Sequence, residues 1–244
     1  MRAEPSTVDR LLTPVHRWVW SDAQRRARKM LRFSETEADG ARDITRAAEL
    51  TADPTLRLLY LRHAEDEQRH ADLFRRRGRE LLDPSSGRVF EANWLSPGER
   101  GLDGIDAGSQ GDDALLAFLY LSERAAAGRF VVYEQVLDHD PQTRAMFARI
   151  LADEEFHMTY TRKQLARLSP RKQGVRLWQA RAGRLWKAYL RVATALASLL
   201  GTVMLAFEYF VILPLFAVFA KQTARREQEG FATSRDRLAM EKQY

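Results

Sequence analysis

The sequence predicts an all-α protein: a four-helix bundle with a long crossover between helices two and three, then a basic helix and a transmembrane helix. Three observations predict it. The pattern Glu-x-x-His occurs twice, as Glu67-Gln68-Arg69-His70 and Glu154-Glu155-Phe156-His157. The residues preceding the two copies match at fixed offsets, which marks a duplicated helix pair. From Val192 to Ala220 the only charged residue is Glu208. Few β-branched runs and few Gly-Asn turn signals leave little room for strands.

Residues 1–20 read as an arm with Pro5 and Pro14, ending in Trp18-Val19-Trp20. Ser21-Asp22-Ala23-Gln24 reads as a capping box opening helix one, which runs to about Leu50. Helix two starts at Pro54, a residue suited to a first helical position, and continues to about Leu82. Residues 83–113 are rich in Gly, Pro, Ser and Asp. A connection that long needs a task, and a crossover travelling the length of the bundle supplies one. Helix three covers roughly 114–138 and helix four 141–168. The organisation expected is an arm (1–20), a bundle (21–168), a basic juxtamembrane helix (169–191), a membrane span (192–220) and a polar tail (221–244).

Residues three apart share a helix face, so each Glu-x-x-His aims a carboxylate and an imidazole at one point. Two such segments and one Glu from each of two further helices make a dinuclear metal site. Glu35 lies 32 residues before Glu67, and Glu123 lies 31 before Glu154. Each follows a Ser and precedes a Gly by five residues, and Pro54 and Pro141 each stand thirteen residues before their Glu. Glu37 competes with Glu35, and the repeat alignment favours Glu35. Glu123 lies among Leu116, Leu119, Phe130 and Val131, where an unpartnered carboxylate would be costly. The expected metal ligands and catalytic residues are Glu35, Glu67, His70, Glu123, Glu154 and His157. Asp66 and Asp153 are expected to accept the free ring N–H of a ligand histidine. Tyr60, Tyr120 and Tyr160 read as packing residues, and His63 and His139 as surface residues.

With these residues in view, residues 20–168 of the 244 resemble the ferritin-like superfamily, nearest to its rubrerythrin-like and di-iron oxidase-like members. Asp66-Glu67-Gln68-Arg69-His70 is also similar to the Asp-Glu-x-Arg-His form of di-iron oxygenases and desaturases. The second copy keeps Asp153-Glu154 but has Phe156 in place of that Arg. The resemblance implies two iron ions, with di-manganese or a mixed Fe/Mn pair as alternatives. It also implies two-electron chemistry on O2 or peroxide.

The chain has no cysteine. This excludes disulfides, iron–sulfur clusters and a Cys-rich iron site, so electrons must come from an external donor. The net charge of +6 is local: residues 171–191 carry seven Lys or Arg and no acid. No nucleic-acid partner is expected from such a block; a membrane surface is. As a helix, residues 192–220 would be about 43 Å long, against roughly 30 Å of hydrocarbon. Its fifteen Leu, Ile, Val and Phe side chains contribute roughly −7 kcal/mol to insertion, against about +3 for a central Glu208. Trp178, Trp186 and Tyr189 precede the span, where amphipathic rings favour headgroups. No secretory signal is expected, since Arg2, Glu4 and Asp9 interrupt the first residues. Seven Lys or Arg in 171–191 against five in 221–241 favour a cytoplasmic bundle. Pro214 is expected to kink the span or to mark a re-entrant or interfacial segment.

The function expected is a membrane-anchored di-iron oxidoreductase activating O2 or peroxide, with membrane lipid as partner and a lipid-phase substrate. Its alternatives are a ferroxidase or iron-handling protein and a metal-stapled structural protein. A homodimer is an alternative to a monomer.

Overall fold

A computed structural model describes residues 3–82 and 111–231, and among the described residues all regular structure is helical. The helices are α1 (Thr7–Leu11), α2 (Thr13–Ser21), α3 (Ala23–Leu50), α4 (Pro54–Leu81), α5 (Asp112–Val136), α6 (Pro141–Leu168), α7 (Gln173–Phe207) and α8 (Leu213–Phe231), with a π-helical turn at Glu208–Ile212. The chain divides into two units, 1–182 and 183–244.

In the first unit the caps decide where the long helices begin. The side chain of Asp22 accepts the Arg25 N–H at the start of α3, so Asp22 is the capping residue where Ser21 was expected. Asp53 caps α4 by accepting the N–H groups of Thr55 and Leu56, and Asp140 caps α6 by accepting that of Thr143. Each of these two caps precedes a proline. Gly78 lets α3 and α4 approach closely: a Cβ there would lie 2.8 Å from Leu31 Cγ.

The two largest apolar clusters of the core, with a smaller cluster at Tyr120, Leu121, Ala127 and Met158 beside them, form two layers. One holds Ile44, Tyr60, Leu116, Leu119 and Tyr160; the other holds Met30, Phe74, Phe130, Phe147 and Ile150. Along α3 the chain passes from the second layer to the first, and along α4 it passes back. Along α5 it runs again from first to second, and along α6 it returns. α4 and α5 therefore run in the same direction, and α4 ends at the opposite end from the start of α5. The expected crossover at 83–113 lies outside the described residues up to Gly111, where a φ of 78° admits a glycine readily.

The N-terminal segment, expected as an arm, meets the bundle at both of its ends, while no described residue before Trp20 is buried. Trp20 is fully buried, its ring centroid 4.8 Å from Tyr133 and 5.3 Å from Phe147. The backbone at Glu4 and Pro5 packs on α5 so closely that a Cβ on Gly128 would lie 2.8 Å from Glu4 O. Not all of the basic block faces water either. Arg176 donates to Asp113 at 2.7 Å, and Ser169 donates to the same carboxylate, tying the start of α7 to the first turn of α5.

Most of the apolar helix falls in the second unit. Among the described residues one helix, Gln173–Arg225, is long and apolar enough to cross a membrane, and none of its most apolar stretch is buried. Pro214 does not end it. Proline lacks an N–H and its ring collides with the carbonyl four residues earlier. The chain absorbs this in the π turn, where Leu213 N–H reaches Glu208 O and an extra residue is taken into the turn.

Candidate metal centre

Between the two apolar layers, every long helix of the first unit presents an ionisable group to the interior. On α4 the inward stripe is Leu56, Tyr60, His63, Glu67, His70 and Phe74, spaced by alternating threes and fours. α6 supplies Glu154 and His157, both buried, and α5 supplies Glu123. From α3 it is Glu37 that joins this cluster of possible ligands, where Glu35 was expected. Two residues rotate a helix by about 200°. The buried stripe of α3 runs through Met30, Ser34, Ala41 and Ile44, a register that includes 37 and omits 35.

The turn lengths explain why the repeat alignment misled. Three residues, Thr51–Asp53, separate α3 from α4, while four, Leu137–Asp140, separate α5 from α6. Glu37 and Glu123 each lie thirteen residues before the end of their helix. Glu37 must therefore stand 30 residues before Glu67 where Glu123 stands 31 before Glu154.

Donor atoms of His63, Glu67, Glu123 and His157 lie within 4.8 Å of one another, as do those of Glu37, Glu67 and His70. Glu67 belongs to both groups. Glu154 completes the centre: its Oε1 lies 3.9 Å from His70 Nδ1, and its Oε2 lies 3.9 Å from His157 Nδ1. The cluster thus joins five of the expected residues (Glu67, His70, Glu123, Glu154 and His157) with Glu37 and His63.

His63 is not a surface residue. It is fully buried, its Nδ1 is 2.7 Å from Tyr160 Oη, and its Nε2 is 3.0 Å from Glu67 Oε1. Its sequence signal is its place four residues before Glu67 on the inward stripe. Tyr160 is accordingly a bonded neighbour of the cluster as well as a packing residue. Tyr60 donates to Asp112 at 3.3 Å, away from the cluster.

The two histidines of the Glu-x-x-His motifs are held from outside. His157 Nε2 lies 3.2 Å from Asp66 Oδ2, and His70 Nε2 lies 3.1 Å from Asp153 Oδ2. A carboxylate only accepts, so each Nε2 carries a proton and each Nδ1 is the nitrogen that points inward. Arg69 bridges the two aspartates, 2.7 Å from Asp66 and 2.9 Å from Asp153. Burial opposes ionisation of Asp66, but the hydrogen bonds from His157 and Arg69 prevail and bring its pKa to about 2.

The centre has more acid than its surroundings can ionise. Burial, reinforced by Glu67 and Glu123, pushes the Glu37 carboxyl well up. Burial and the same two neighbours do so for Glu154. Glu67 and Glu123 are also opposed by burial, yet hydrogen bonds hold both low: from Glu37 and His63 for Glu67, and from His63 for Glu123. Burial lowers His157. His63 is pushed up to about 9, because Glu123 and Glu67 outweigh its desolvation.

A metal fits these residues. His70 Nδ1, His157 Nδ1 and Glu154 Oε2 are buried without a hydrogen-bond partner, a costly arrangement for polar atoms unless something else satisfies them. All three face the same centre, and carboxylates with imidazoles and no thiolate suit hard or intermediate divalent metals. No family model matches the chain, and no curated protein or solved structure matches it.

Proposed function

We propose that this protein is a membrane-anchored di-iron oxidoreductase that activates O2 or peroxide and acts on a substrate from the lipid phase. The observation that carries the reading is the convergence of Glu37, Glu67, Glu123 and Glu154 on two imidazoles whose inward nitrogens face carboxylates yet have no hydrogen-bond partner. Four carboxylates bring four negative charges, which two divalent ions neutralise. In a ferritin-like bundle this set holds a metal pair, and a bound iron pair supplies two electrons for the reduction of O2 or peroxide. Di-manganese or a mixed pair suits the same donors.

The chain's own residues have three tasks in this reading. The carboxylates and inward imidazole nitrogens bind the metals. Asp66 and Asp153 orient those imidazoles, with Arg69 holding the aspartates. The apolar layers above and below the cluster keep bulk water from the centre. With no cysteine in the chain, reducing equivalents come from an external donor. Residues 192–220 anchor the protein, and the basic residues before them meet the anionic inner leaflet, which puts the bundle in the cytoplasm. An active site tethered there reaches acyl chains or other lipid-phase molecules.

Metal analysis of the full chain purified in detergent, with magnetic measurement of the oxidised form, tests this. The expected result is about two irons per chain, magnetically coupled, and O2 consumption under reduction that exceeds that of free iron with candidate lipids. Turnover no greater than that of free iron overturns the oxidoreductase reading. Iron loading far above two per chain favours iron handling instead.

A further inference from the structure

His63 breaks the symmetry of the duplicated helix pair. Glu67 and Glu154 are equivalent, so the residue of the second half that corresponds to His63 is Ile150, which is buried in the apolar layer. Tyr160, which holds the His63 ring, corresponds to Leu73 in the first half. The imidazole and its anchor are both unmatched, and they meet each other.

The ring is placed as a donor is placed. Its Nε2 points between Glu67 Oε1, at 3.0 Å, and Glu123 Oε1, at 3.5 Å. Its plane stacks on His157 with centroids 3.7 Å apart. Its far nitrogen contacts Tyr160 Oη at 2.7 Å, as the free nitrogen of a metal-bound histidine contacts an outer partner. Against the two carboxylates alone Nε2 carries a proton, since a carboxylate only accepts. In the other tautomer, with Nδ1–H donated to Tyr160, the Nε2 lone pair faces the space that Glu67, Glu123 and His157 also face. A cation held by those two carboxylates would repel an Nε2–H and attract that lone pair.

We infer that His63 is a seventh metal donor and that the two metal positions are unequal. This rests on the dinuclear reading above. One position draws on His63, His157, Glu67 and Glu123, with two nitrogens. The other draws on Glu37, Glu67 and His70, with one nitrogen, and Glu154 stands near both. Imidazole raises affinity for the later divalent metals more than carboxylate does, so the position with His63 fills first.

The test is calorimetric titration of the metal-free full chain in detergent with Co(II) alone, repeated with Mn(II). Two unequal Co(II) steps are expected, and a smaller gap is expected with Mn(II), which prefers oxygen. His63→Gln weakens the tighter Co(II) step by about ten- to hundredfold and leaves the other in place. Tyr160→Phe keeps the imidazole without its anchor and weakens the same step less. Helix content and melting temperature confirm that each variant is folded; if His63→Gln does not fold, Tyr160→Phe decides. Two equal steps in the unaltered chain, or a tighter step indifferent to the folded variant that decides, overturn the seventh donor and leave the dinuclear centre standing. No Co(II) binding above the detergent blank overturns the centre itself.

Discussion

Asp66 on α4 holds the ring of His157 on α6 at 3.2 Å, and the contact is returned in mirror image by His70 and Asp153 at 3.1 Å. Each motif helix thus orients the histidine of the other. Asp66→Ala frees the His157 ring and is expected to lower metal affinity about ten- to hundredfold with helix content unchanged. Metal titration of the variant checks this; unaltered affinity would show that the aspartate does not orient a ligand.

Replacement of the α3 glutamates separates the two registers. Glu37→Ala is expected to remove a donor and reduce bound metal below two per chain, while Glu35→Ala keeps the full complement. Metal analysis of both variants decides between them, and the opposite pattern would restore the alignment-based choice.

Asp140 joins a cap to a charge network at one end of the bundle. It accepts from Thr143 N–H and Oγ1 and from Arg77 at 2.8 Å, with Arg26 at 3.3 Å. Burial opposes its ionisation, but the hydrogen bonds from Thr143 and Arg77 hold its pKa below the ordinary 3.8. A depressed pKa contributes stability above the unfolded value that is lost as pH falls through the folded one. Asp140→Asn keeps a capping side chain and removes the charge. The variant should be about 1.5–3 kcal/mol less stable near pH 7, and the gap should close below pH 3.8. Denaturant unfolding at the two pH values measures it; a gap independent of pH would place the effect elsewhere.

Trp20 is the largest fully buried side chain of the N-terminal segment. Trp20→Ala is expected to cost about 3–5 kcal/mol, as in other large-to-small core changes. A loss under about 1 kcal/mol would restore the arm expected at residues 1–20.

The mode of membrane attachment has its own signature. An inserted helix resists alkaline carbonate and high salt, whereas a basic patch alone is released by salt because its attraction is screened. Membranes carrying the full chain are expected to retain it under both treatments.

Much of this molecule was legible from its residues because helical periodicity and capping are local. Asp53-Pro54 and Asp140-Pro141 mark two helix starts, and the paired Glu-x-x-His motifs place four donors on inward faces. Other parts were legible but misread. The stripe Met30, Ser34, Ala41 and Ile44 contains the register of Glu37. The count between repeats concealed it, since the two turns differ by one residue. His63 carries the same signal on α4, yet a histidine four residues before a glutamate reads equally well as an exposed pair.

By itself the sequence determined the helices, the levels at which carboxylates and imidazoles recur along them, and the apolar helix near the end of the chain. These follow from spacing, propensity and composition, which act between near neighbours. Only the tertiary structure decided which carboxylate of α3 turns inward, that Asp66 reaches His157 across the bundle, and that His63 meets Tyr160. Those relations depend on how far each helix is rotated and advanced against the next. Turn length and packing set that rotation, through contacts between residues far apart in the chain.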